Sequence, residues 1–414
     1  MKISMAKLSY IINSVALILI ITSNFCFYTV DNINVYAYMT IIGCIISLLL
    51  NIKHFRLNFS KNSYFLWLTS IYTIFLIYGL FYLKAGKFSR DSFVIRYIEN
   101  FSIYLSLYSI IRENHSSIVI PFLISGLASI IFLLSQEWSD IINGGMRIGG
   151  SLSGNVNTVG FNFGFISLLL SWNYMNSKKK SNLFLLAIFI FFMILTGSKK
   201  ALFIVVLDLF LIFFSQNNSR LIRYFKILLS FTLIIGLIFN VPYFYNILGS
   251  RIISMIDTFL GKDSVYSNTY SYSTDMREFM IKESFKFFLK NPIFGGGFNN
   301  FLANTITQYE YSHSNYTEML CSFGLIGTII FYSKYFSNFK YLLSNSILRD
   351  LKYRNYGILV LVMIVEMLAI DWMTVTFSGQ SVSYLPIIAS SAIIGNIRND
   401  RIKGNKYERK KIST

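Results

Sequence analysis

The chain is predicted to be an all-α polytopic membrane protein of about twelve transmembrane helices, with one long outer loop between the ninth and the tenth. Three observations predict this. Of its 414 residues 54% are hydrophobic and 14% charged, with a mean hydropathy of +0.54, a balance that soluble domains do not show. About twelve apolar runs approach the ~20 residues that cross a hydrocarbon layer. Lys and Arg gather in alternate loops between those runs.

The runs lie at roughly 8–28, 35–51, 64–83, 93–111, 118–135, 158–175, 182–196, 201–215, 225–243, 315–335, 357–370 and 381–396. The seventh, eighth and eleventh are short. The first follows Lys2 and Lys7 as a signal peptide would, but Asn24-Phe25-Cys26 offers no small-residue cleavage site, so an uncleaved helix is expected. Lys53, Arg56 and Lys61 mark one loop as cytoplasmic, and Lys178 to Lys180 a second. Arg220, Arg223 and Lys226 mark a third, and Lys340, Arg349, Lys352 and Arg354 a fourth. With the basic tail from Arg398 to Lys411 they place both termini inside. The expected organisation is nine helices over 1–243, a long extracytoplasmic loop with an interfacial helix over 244–314, three helices over 315–396, and a cytoplasmic tail over 397–414.

The net charge of +18 then collects on the inner side, where it suits anionic lipid, and no nucleic-acid partner is needed to explain it. Cys26, Cys44 and Cys321 have neither disulfide nor metal-site spacing, and inert buried thiols are expected. No internal repeat is evident. Asp208 and Glu366 are the acidic residues expected at mid-membrane.

Cations on the expected outer side depart from the positive-inside bias and so carry information. Lys84, Lys87 and Arg90 share one loop; Arg96 lies just inside the fourth helix, with Glu99 on the same face. Their plainest reading is an internal ion pair. Arg147 sits in a glycine-rich loop that runs from Gly144 to Asn157. Glycines admit close backbone approach, and a guanidinium offers a planar fork for phosphate oxygens; an exposed arginine on a flexible loop is the plainer alternative. Thr196-Gly197-Ser198-Lys199-Lys200 is a tight turn that keeps two lysines near the bilayer surface, where they either anchor to headgroups or bind substrate. Three such loops suggest a pocket for an anionic headgroup.

In the long loop, Asp275 reads as a helix N-cap, with Glu278 completing a capping box. The helix runs to about Lys290, and Pro292 stops it. Met276, Phe279, Met280, Phe287 and Phe288 give it an apolar side, while Arg277, Lys282, Lys286 and Lys290 keep it basic; such a helix lies in the membrane interface. Gly295-Gly296-Gly297 reads as a flexible turn. His54 and His115 fall in inner loops, and His313 alone stands outside, at the start of the tenth helix. Its ordinary pKa near ~6.5 lets an imidazole take a proton at neutral pH. Glu318 either orients it or caps the helix.

These residues resemble a known signature. His313-Ser314, followed after nine residues by Gly324-x-x-Gly327, is similar to the motif of bacterial O-antigen ligases and of O-antigen or capsular polysaccharide polymerases. Arg277 and the segment Phe287 to Gly297 resemble what precedes that motif. Thr196-Gly197-Ser198-Lys199 resembles the family's Thr-Gly-Ser-Arg turn, with lysine in place of arginine. Arg147 and Asn155-x-Asn157 resemble its glycine-rich outer loop. The resemblance implies a GT-C-like glycosyltransferase acting on undecaprenyl-pyrophosphate-linked oligosaccharides at the outer face of the bacterial inner membrane, with a chain-length regulator protein as a candidate partner.

Residue chemistry is consistent with this. Pyrophosphate is a good leaving group and needs no general acid; it needs cations for the charge it gathers. Arg277 and His313 are therefore the expected catalytic residues, as cation and base. Arg147, Lys199, Lys200, Asn157 and Glu318 are the expected substrate-binding residues. No cofactor is expected, and the outer side shows no acidic pair or ligand cluster for a metal. A polymerase is the leading reading, an O-antigen ligase with a lipid A-core acceptor the alternative, and a polysaccharide-lipid flippase a third. Transporters of that size show repeats and broken charged helices at mid-membrane.

Overall fold

The computed structural model describes residues 4–412 other than 30, 57–62, 87–89, 114–117, 144–146, 216–219, 261–264, 307–310 and 380. Lys2, Lys61, Lys87, His115 and Gly144 to Met146 therefore lie outside the described residues. So do the side chains of Lys53, His54, Arg56, Arg90, Arg220, Arg223 and Lys226, and those of the tail beyond Lys403.

Helices α1 (Met5–Cys26), α2 (Ile33–Arg56), α3 (Ser63–Phe81), α4 (Arg90–Glu113) and α5 (Val119–Asn143) form the first part of the bundle. After the short α6 (Gly150–Ser153) come α7 (Val156–Ser177), α8 (Lys180–Leu195), α9 (Lys199–Phe214) and α10 (Arg220–Asn240). The segment expected as the long loop is largely helical: α11 (Pro242–Phe244), a π-turn at Tyr245–Gly249, α12 (Ser250–Phe259), α13 (Val265–Lys290) and α14 (Asn300–Asn304). Then follow α15 (Asn315–Ser344), α16 (Arg354–Met373) and α17 (Leu385–Ile412). Among the described residues no strand is present, only one bridge between Leu83 and Phe298.

Each expected run is met by a helix, but among the described residues six helices are long and apolar enough to cross a membrane by composition alone. Thr232–Asn240 and Pro242–Asp257, bent by 87°, make a seventh if taken as one span. Helices α8 and α9 have 16 residues each, below the ~17 that a span needs. The α4 helix carries Arg96 and Glu99 in its interior, and α17 continues without a break into the basic tail. The protein is thus an all-α, multi-pass membrane protein.

Polar side chains within the bundle are joined across helices. Ser106 donates to Ser47 (2.8 Å), Ser109 to Asn51 (2.5 Å), and Asn51 to Asn13 (2.8 Å), which ties α4, α2 and α1 together. Arg96 donates to the Ser378 carbonyl and to Tyr28, while Glu99 accepts from Tyr36 and Asn24.

Three expectations about the long loop change. Asp275 is not an N-cap, because α13 begins at Val265 and Asp275 lies inside it; the Tyr- and Ser-rich stretch before it is weakly helix-forming, and packing of α13 on α12 outweighs that. The apolar side of α13 does not face lipid as a whole. Met280 and Phe287 are buried with Phe301 and Cys321, and Met276 packs against them; Phe279, Phe285 and Leu289 are the rings and chain left exposed. Finally, Gly295 to Gly297 is not a flexible turn. Helix α15 is broken at Gly324 (φ 65°, ψ −165°), and the glycine turn fills the break. Gly296 and Gly297 donate to the Cys321 and Ser322 carbonyls at 2.9 and 3.0 Å, and Leu325 and Ile326 donate to the Pro292 and Ile293 carbonyls at 2.9 and 3.2 Å. A Cβ on Gly324 would lie 2.4 Å from backbone atoms of Gly295 and Ile293. The chains touch backbone to backbone, which only glycine permits.

Candidate active site

A pocket of about 470 Å³ lies where α7, α9, α12, α13 and α16 meet the segments 311–313 and 374–379. One wall is organised by the turn Thr196-Gly197-Ser198. The Arg147 guanidinium donates to the Thr196 carbonyl (2.9 Å) and to Asn157 Oδ1 (2.9 Å). That same Asn157 oxygen accepts from the Ser198 hydroxyl at 2.9 Å. Asn155 caps α7 by accepting from the Asn157 amide, so Asn155-x-Asn157 both starts a helix and aims an arginine. Gly197 has a φ of 59°, and a Cβ there would meet Arg147 Cγ at 2.9 Å. The Gly197 carbonyl in turn accepts from Arg251 of α12 at 2.7 Å. The glycine thus lets two arginines close on one turn.

The glycine-rich loop is pinned from behind by Glu137. Helix α5 runs past the expected end at 135 and kinks at Glu137 (φ −120°, ψ 23°). There the carboxylate accepts from the Gly149 and Ser151 amides at 2.6 and 2.8 Å.

The other wall carries Arg277, from α13, and His313. His313 has a φ of 62° and stands two residues ahead of α15, with the Tyr311 ring edge-on at 4.8 Å. Glu318 does not line the pocket: it is buried and accepts from the Ser312 amide at 2.8 Å, so it fastens the segment that bears His313. Asn315 Oδ1 accepts from the Thr376 and Phe377 amides, both at 3.0 Å, and holds the 374–379 segment against the pocket. Lys200 donates to the Met373 carbonyl at the end of α16.

Electrostatics follow from this crowding. Arg147, Lys199, Lys200, Arg251 and Arg277 all line the pocket, and Glu366 is the one carboxyl among the described lining residues. Burial, with Arg251 nearby, pushes Arg147 down to about 10. Lys199 and Lys200 stand ahead of the apolar run that begins at Ala201. Burial and then Arg251, Arg277 and Arg147 push Lys199 down to about 8. Burial and then Arg277 do the same to Lys200. Burial first, then Lys200 and Arg277, push His313 down to about 4. A concave site that disfavours its own positive charges is one that an anion stabilises. Among the described residues no three His, Cys, Asp or Glu side chains converge as a metal ion would need.

Six of the seven residues expected from sequence line this pocket: His313, Arg277, Arg147, Lys199, Lys200 and Asn157. Arg251, Asn162 and Glu137 were not foreseen. A lone arginine in the otherwise uncharged stretch Asn246 to Ile253 was the available sign of Arg251; the partners of Glu137 are known only from the fold.

The class is thus a multi-pass helical membrane protein with five cations and an imidazole lining one pocket, whose charge suits an anionic ligand. The comparison with known families is more specific. Residues 184–332 match the family model described as O-Antigen ligase, so this segment is similar to the O-antigen ligase/polymerase superfamily. The match takes in the 196–200 turn, Arg251, Arg277, His313 and the Gly324 break, while Arg147 and Asn157 precede it. No match was found among curated proteins. The family indicates a glycosyl-transferring function of the ligase/polymerase type.

Proposed function

We propose that this protein is an oligosaccharide repeat-unit polymerase. It transfers a glycan from undecaprenyl pyrophosphate onto another lipid-linked repeat unit, at the outer face of the inner membrane, in O-antigen or capsule synthesis. The observation that carries this is the convergence of Arg147, Lys199, Lys200, Arg251 and Arg277 around His313 in one pocket.

In this reading the cations hold the donor diphosphate. An acceptor hydroxyl oxygen attacks the anomeric carbon, and the bond from that carbon to the diphosphate oxygen breaks. The electron pair leaves on undecaprenyl pyrophosphate, where Arg277 and Arg147 stabilise it. His313 takes the hydroxyl proton. Before the donor binds, His313 is a neutral but weak base, held near 4 by burial, Lys200 and Arg277. Bound diphosphate offsets those cations, so basicity rises toward the ordinary ~6.5 when a substrate is present. Asn157 and Glu318 act through others: one aims Arg147, the other steadies the His313 segment.

The ligase is the second reading, with the same donor and a lipid A-core acceptor; the family match is compatible with either. Deletion separates the two. Single repeat units on the cell surface indicate a polymerase, whereas accumulated lipid-linked polymer indicates a ligase. His313→Ala and Arg277→Ala are each expected to lower product formation by at least about 1000-fold while the protein still inserts. Normal chain-length ladders from both variants would remove the proposed site.

A further inference from the structure

The floor of the same pocket holds polar groups that the diphosphate chemistry leaves unused. Asn162 of α7 and Glu366 of α16 both line it, 6% and 1% exposed. Asn162 Nδ2 and Glu366 Oε2 are buried and have no hydrogen-bond partner among the described residues. Asp208 of α9, an electrostatic neighbour of Glu366, has both its oxygens in the same condition. Open valences occur elsewhere in the bundle as well, at Oδ1 of Asn24, Asn100 and Asn338 for example, but of the described residues that carry one, Asn162 and Glu366 are those that line this pocket. Burying an unpaired amide or carboxyl is costly, and within membrane helices such groups mark ligand pathways.

We propose that this floor is a subsite for one sugar ring of the lipid-linked oligosaccharide, an inference that rests on the function proposed above. A sugar hydroxyl is a donor and an acceptor at once. It accepts from the Asn162 amide and donates to the Glu366 carboxyl, which completes both. Phe161 and Phe165 line the same floor and offer apolar surface to the C–H face of a pyranose. The cations then read the diphosphate and the floor reads the sugar, within one cavity of about 470 Å³. A few placed polar groups in an apolar hollow are what small-ligand recognition needs.

The test uses full-length protein in lipid nanodiscs and two probes: undecaprenyl pyrophosphate, and the lipid-linked repeat unit extracted from producing cells. The parent is expected to bind the sugar-bearing carrier more tightly. Glu366→Met and Asn162→Leu should each cut that preference about tenfold and keep the affinity for the bare carrier within about twofold, which also shows that they fold. Should either variant lose the bare carrier as well, Phe161→Leu decides, because its partly open ring can be trimmed with little packing loss. A preference kept intact in the variants, or a parent that binds both probes equally, overturns the subsite alone. A parent that binds neither probe overturns the functional reading and the subsite with it.

Discussion

Cations gather at both ends of the bundle, and the two gatherings differ in what holds them. At the His313 end, Arg147, Arg251 and Lys200 rest on the carbonyls of Thr196, Gly197 and Met373. A carbonyl orients a cation without neutralising it. At the far end of α15 and α17, a wider cleft is lined by Lys340, Arg398, Arg401 and Asp350. Arg401 there makes an ion pair with Asp350 at 2.6 Å, which holds the Asp350 carboxyl below its usual range. The Lys352 ammonium sits over the Tyr353 ring at 4.7 Å, and Lys340 and Arg398 are exposed to solvent. Five cations line the first pocket and three the second, but what holds them differs more than their number does. Partial burial and backbone-carbonyl partners set the His313 end apart, because a low-dielectric setting strengthens the field that a bound anion would meet.

That contrast can be broken by experiment. Arg251→Ala is expected to lower product formation by roughly 100-fold in a purified assay with lipid-linked repeat units, and Arg398→Ala to change it by less than about twofold. Equal losses would show that the two ends do not differ in kind.

The effect of pH is smaller and has a defined sign. The acid limb of kcat/KM, which reports free enzyme, should lie near the His313 value of about 4, and the acid limb of kcat should lie higher. Donor affinity should fall as pH rises through about 8, where Lys199 and Lys200 lose their protons. Substrate-free protein should behave oppositely. Both lysines sit below their ordinary 10.5, so the unfolded chain binds more protons between about 8 and 10.5, and thermal stability should rise with pH across that window. Melting curves and binding isotherms over pH 7–11 check both signs; parallel trends would mean the lysines do not face the donor.

The smallest effect belongs to the far end. Arg401→Ala should shift unfolding stability by no more than about 1 kcal/mol, since a partly solvated pair is worth little. A larger loss in denaturant titration would mean that this pair supports the fold.

Much of the helical plan was legible because apolar runs and basic loops are local signals. The pocket was partly legible for a related reason. Arg147, Lys199 and Lys200 drew notice as outer cations against the positive-inside bias, and Arg277 and His313 through the ligase/polymerase motif that their segment resembles. What stayed hidden depends on distant partners. Glu137 is known to serve Gly149 and Ser151 only once α5 is seen to kink. Glu318 looked like a substrate ligand from its nearness to His313, yet it points to the Ser312 amide. Asp275 carried a sound local cap signal that packing of α13 overrode. Gly295 looked flexible because its counterpart, Gly324, lies in a different helix.

The broken helix also bears on how the molecule is made. Pro292 to Gly297 emerges from the ribosome before Cys321 to Ile326 does, so its amides and carbonyls wait in water for a mate that has yet to enter the bilayer. Seating that later span seals the glycine strap and sets the His313 segment in the same event. His313 therefore reaches its place in the pocket only after the carboxy-terminal part of the chain has been threaded, and a truncated product would lack the wall that the 311–313 and 374–379 segments form.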